Sequence, residues 1–100
     1  MLFVKKEDPY IISEIIRRVS GGEDGLFLSF ETTYLKNIFF KEIKKYIPDT
    51  YIINCCSSDR RIKYDLLEAV GYNLIIYDFV DEVNNNDIIN ILNKQKIFIR

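Results

Sequence analysis

The feature that most constrains the fold is an alternation running the length of the chain. Short apolar segments are followed, again and again, by longer stretches whose apolar residues recur at helical spacing. The segments "LFLSF" (26–30), "TYIINC" (50–55), "YNLIIYD" (72–78) and "KIFIR" (96–100) read as strands, with a shorter apolar run from Leu2 to Lys5 ahead of them. Between them come four sets at helical spacing: Ile11, Ile12, Ile15, Ile16 and Val19; Leu35, Ile38, Phe39, Ile43, Tyr46 and Ile47; Ile62, Leu66, Ala69 and Val70; Ile88, Ile89, Ile91 and Leu92. A strand that is apolar on both sides must be covered on both sides, and parallel strands need a crossover of about a dozen residues. The pattern therefore predicts a three-layer α/β fold: a mostly parallel sheet of about five strands with helices on both faces, β-α-β-α-β-α-β-α-β, joined by right-handed crossovers.

Local signals set the boundaries. Asp8-Pro9 supplies an N-cap and a proline at the first helical position, and Gly21-Gly22 ends that helix. The second helix starts near Thr33 and closes at Pro48-Asp49, the third is capped by Ser57 or Ser58 and ends at Gly71, and a short fourth starts at Asn86 or Asp87. At 100 residues and 48% hydrophobic content the chain forms one domain, residues 1–100, burying roughly two-thirds of its unfolded surface. Phe27, Phe39, Phe40 and Tyr77 are placed in the core, and Tyr10, Tyr34 and Tyr72 at the surface. "KIFIR" is expected at an edge of the sheet, open to pairing with a second copy or another protein.

Charge and composition narrow the function classes. Fourteen basic and fifteen acidic residues leave a net charge of -1 with no block of one sign, so a general nucleic-acid binder is not supported. No apolar run approaches the ~20 residues that cross a bilayer, and no signal pattern opens the chain, which predicts no membrane association and a cytoplasmic protein. Adjacent Cys55 and Cys56 are poorly placed to bridge, so reduced thiols are expected. The chain has no histidine, which removes the commonest metal ligand and the commonest general base. No metal and no cofactor are predicted, and the balance weighs against an enzyme. Heavy use of Ile, Lys, Asn, Tyr and Phe suggests an AT-rich source such as a virus or mobile element.

In a parallel sheet ligands bind at the carboxyl ends of the strands, where strand order reverses. That edge collects Glu31 to Lys36, Asn54 to Arg61, and Asp78 to Glu82. In the first group, Gly21-Gly22 and Gly25 precede a strand, a polar loop carries Glu31, Thr32 and Thr33, and Lys36 opens a helix; later, "LIIYDFVDE" ends a strand on Asp78. This arrangement resembles the RecA-like branch of the P-loop NTPases, with Lys36 as the phosphate-loop lysine and Asp78 at the place of the Walker B acid. Phe30 and Leu35 stand where the loop's glycines belong, and Asn37 where the magnesium hydroxyl belongs. The resemblance thus implies a degenerate member in which nucleotide binding is lost or residual. The bland alternative is that Thr32 or Thr33 caps the helix and Lys36 is solvated.

The same stretch also resembles a degenerate Toprim domain, Glu31 taking the place of that family's glutamate and Asn54 and Cys56 those of its aspartate pair. An amide and a thiol do not supply the hard oxygens that magnesium takes. Finally, Cys55, five residues, then Arg61 resembles the spacing of protein tyrosine phosphatases and arsenate reductases. That likeness implies Cys55 as nucleophile, Arg61 as anion clamp with Arg60 beside it, and Asp78 or Asp81 as acid. The competing reading is a buried strand-end cysteine next to a serine-capped helix. Asp78, Asp81, Glu82 and Asp87 are read as a solvated acidic loop in which Asp87 caps the last helix. Taken together, the residues favour a non-enzymatic interaction or regulatory module that forms homo-oligomers or binds a protein partner.

Overall fold

The computed structural model describes residues 2–23, 25–82 and 95–100. Along the chain these form β1 (Leu2–Val4), α1 (Pro9–Ser20), β2 (Leu26–Phe30), α2 (Thr33–Tyr46), β3 (Thr50–Asn54), α3 (Asp59–Ala69), β4 (Leu74–Asp78), a 3-10 turn (Val80–Glu82) and β5 (Gln95–Ile99). The expected fourth helix, with Ile88, Ile89, Ile91, Leu92 and the cap at Asn86 or Asp87, lies outside the described residues.

The five strands make one sheet in the order β1-β2-β5-β4-β3, and every adjacent pair is parallel. The chain steps outward from β1 to β2 to β3 and then returns to β4 and β5. Right-handed crossovers in opposite directions place their helices on opposite faces, and the two halves of the core follow. Ile15 and Val19 of α1 and Phe39 and Ile43 of α2 pack on Leu26, Leu28, Leu74, Ile76, Ile97 and Ile99. On the other face Ile62, Leu66 and Ala69 of α3 pack on Ile53, Cys55, Ile75 and Tyr77. The three-layer α/β architecture is the one that the alternation of segments implies.

The caps follow their chemistry. Asp8 accepts from the Tyr10 N–H at 2.9 Å with Pro9 opening α1, Thr32 accepts from Leu35 at 3.2 Å, and Ser58 accepts from Arg61 at 3.2 Å. Gly25, at φ +75, turns the chain into β2 and donates its N–H to the Lys96 carbonyl, a conformation that a side chain would strain. Beside it, the Gln95 amide donates to the carbonyls of Val19 and Glu23, tying β5 to the end of α1.

Two sequence expectations are corrected. "KIFIR" is no edge: β5 is the middle strand, between β2 and β4, and the edges are β1 and β3. Its apolar residues point both ways, Ile97 and Ile99 into one half of the core and Phe98 against Tyr77 on the other. A strand clothed on both sides belongs inside a sheet wherever it falls in the sequence. Phe27 is also not core but 44% exposed, because it faces away from α1 and α2 and is covered there by a stacked Phe98, ring centroids 4.8 Å apart. Phe39 and Tyr77 are fully buried, and Phe40 is partly so.

Candidate functional site at the carboxyl edge of the sheet

The reversal of strand order fixes where a site would be. β2 sends its connection to the α1/α2 face and β4 follows α3 on the other, so the crevice opens over the carboxyl end of β5, between the loops after β2 and β4. Phe30, Glu31, Thr32, Thr33, Lys36, Phe79, Ile99 and Arg100 line a cavity there of about 170 Å3.

Its polar centre is an ion pair between residues 42 apart in sequence. Lys36 Nζ lies 3.0 Å from Asp78 Oδ2 and 3.3 Å from Oδ1. The two side chains are only 12% and 9% exposed. Neither Lys36 nor Asp78 is therefore the solvated charge expected from the sequence: β4 ends in a buried carboxylate after four wholly buried residues, and the start of α2 supplies its counter-ion. Phe79 completes the closure. It takes a left-handed φ of +56, unusual for a bulky residue, donates its N–H to Asp78 Oδ1 at 2.9 Å, and holds its ring 4.0 Å from Lys36 Nζ. An exposed pair, Arg100 with Asp81 at 2.9 Å, flanks the crevice. Glu31 and Thr33 are exposed, while Thr32 spends its hydroxyl on capping α2.

The other candidates are not brought into this site. Glu31 follows β2 and Asn54 ends β3, with β5 and β4 between them, a separation of roughly 14 Å at ordinary strand spacing. Asn54 uses its side chain in a local turn, accepting the Cys56 N–H at 2.9 Å. Cys55 is 3% exposed beneath α3, and burial first, then the charge of Asp78, pushes its thiol up to about 11. Arg61 is turned to Asp65 at 3.3 Å and lies over the Tyr64 ring, while Arg60 is exposed. A thiol nucleophile needs a lowered pKa and a facing cation, and Cys55 has the opposite environment. Among the described residues no cluster of three or more His, Cys, Asp or Glu could hold a metal ion, and no helix is long and apolar enough to cross a membrane.

These environments carry two expected results. Thiol alkylation of the native chain at neutral pH modifies the exposed Cys56 and spares Cys55, read by mass spectrometry of peptides; rapid labelling of both would show that Cys55 is open. Burial also raises Tyr77 to about 12, so both buried acids hold their protons more tightly folded than unfolded. Stability is then lost as pH climbs from the ordinary thiol value of 9.0 toward about 11, and further from 10.0 toward about 12. Urea midpoints that stay level between pH 8.5 and 10.5, a window set roughly by those values, would contradict this.

No protein-family model matches the chain, and the comparisons with curated proteins and with solved structures likewise found no match.

Proposed function

We propose that this chain is a non-enzymatic interaction or regulatory module that works through self-association. The observation that carries the reading is that the crevice at the switch point is filled by the chain's own side chains. Lys36, the buried cation among the described residues lining it, is neutralised by Asp78 and covered by Phe79. The space left, about 170 Å3, falls below the roughly 300–1,000 Å3 of small-molecule sites. Large apolar side chains meanwhile stand in the open, among them Tyr64, Leu67 and Val70, which suits a surface that meets protein. The two free cysteines fit a reducing, cytoplasmic setting.

A second reading is residual nucleotide binding on a degenerate P-loop scaffold. It is favoured by one observation: the two residues that the resemblance singles out, Lys36 and Asp78, are in contact. The readings separate experimentally. Light scattering at several hundred micromolar should give a mass above that of one chain, and thermal denaturation should not move with millimolar ATP and Mg²⁺. A strict monomer whose melting temperature rises with ATP would reverse the order of the two.

A further inference from the structure

Helix α3 differs from the other two in how its charges sit. α1 and α2 carry Arg17, Arg18, Lys44 and Lys45 in their last turns, where cations complement the negative end of the helix dipole. α3 has Arg60 and Arg61 at its start and no basic residue in its last turn, where Glu68 stands. Its carboxyl end opposes its own dipole, and at its start the two arginines stand beside Asp59, the one first-turn residue that complements it. Its outer side also carries large apolar residues beside the exposed Arg60 and Lys63: Tyr64, Leu67 and Val70 are 52%, 74% and 54% exposed, opposite the buried Ile62, Leu66 and Ala69.

Arg61 and Glu68 are seven residues apart, just under two turns, so they share one stripe of the helix with Tyr64 between them. Glu68 makes no ion pair among the described residues, and Arg61 reaches only its own helix at Asp65. We propose that α3 is the surface on which two copies of this chain pair, the two helices lying antiparallel about a twofold axis. Such an axis reverses the helix direction and keeps each flank facing the same flank of the other copy. Arg61 then meets the second copy's Glu68, twice over, while Tyr64 and Leu67 cover one another in the middle. Each basic start also lies beside the other helix's negative end. A parallel pairing would turn this flank away from the same flank of the other copy and leave Arg61 and Glu68 without each other. α3 packs on β3, which is an edge strand, so a second copy has room at this margin of the sheet.

The assignment rests on the reading that the chain self-associates, and it names the surface. A contact centred on three helical turns is smaller than the usual ~800 Å2 per partner, so a dimer dissociating at roughly 10–100 µM is expected. The test is sedimentation velocity of the whole chain across that range. Leu67→Glu should weaken the dimer by about tenfold or more. Arg61→Glu and Glu68→Arg should each weaken it, and an equimolar mixture of those two should recover to within about threefold of wild type, because both cross-contacts are then opposite in sign. Leu67 is exposed, so its variant decides the matter even if Arg61→Glu, which gives up the Asp65 pair, does not fold. A wild-type dimer that Leu67→Glu leaves intact overturns the α3 surface and leaves self-association standing. A wild-type chain that stays monomeric throughout overturns both.

Discussion

Asp78→Ala should lower the stability of the fold by about 3–5 kcal/mol, toward the lower figure because Lys36 retains a little access to water. The size comes from the lysine left behind rather than from the contact removed. An ammonium 12% exposed, among Phe79 and the start of α2, loses its carboxylate and cannot be fully rehydrated without opening the crevice. Lys36→Met should cost a comparable amount for the mirror reason, since it leaves the carboxylate, among the described residues, with the Phe79 N–H and no cation. The double change Lys36→Met with Asp78→Asn should recover most of the loss, because the amide oxygen still accepts that N–H and no charge remains buried. Urea unfolding of the four proteins measures the cycle. If Asp78→Ala stays within about 1 kcal/mol of wild type, the pair is in effect solvated and the crevice is open.

Phe39→Ala should be as damaging, at about 3–5 kcal/mol. The ring has no exposed surface and fills the layer between α2 and the sheet, with Phe30 and Phe40 at centroid distances of 5.3 and 6.1 Å. Packing on one side of the sheet depends on it, so the void it leaves cannot collapse without moving the helix. For a domain whose whole stability is on the order of 5–15 kcal/mol, that is a large fraction. Phe27→Ala, at the half-exposed end of the row Phe27, Phe98 and Tyr77, is the control and should cost roughly 1 kcal/mol or less. Equal losses at the two positions would mean that the face carrying Phe27 is covered.

Much of the architecture could be read from residues because its signals are local. The cap Asp8-Pro9, the serine before α3 and the apolar runs of β2 to β4 act over a few neighbours, and each sits where it was expected. What could not be read in that way depends on the order of strands in space. The middle place of β5 and the meeting of Lys36 with Asp78 across 42 residues come from the return of the chain after β3. One hint was available: a strand as apolar as "LIIYD" that ends in a carboxylate places that charge at the rim of the core, where a cation has to find it. The bulk of Phe30, by contrast, was visible in the sequence, and it lines the crevice that Lys36, Asp78 and Phe79 occupy.

The position of β5 also bears on how the chain comes to be folded as it is made. It follows the other four described strands in sequence and is the keystone of the sheet, joining the β1-β2 pair to the β4-β3 pair. Until residues 95–99 leave the ribosome, β2 and β4 each present an unpaired inner edge, and "LFLSF" and "LIIYD" have no neighbour on that side. The two half-sheets cannot consolidate in the order in which they are synthesised. Consolidation of the sheet therefore waits for residues 95–99, and a nascent form without them carries two strands with open edges that favour pairing elsewhere.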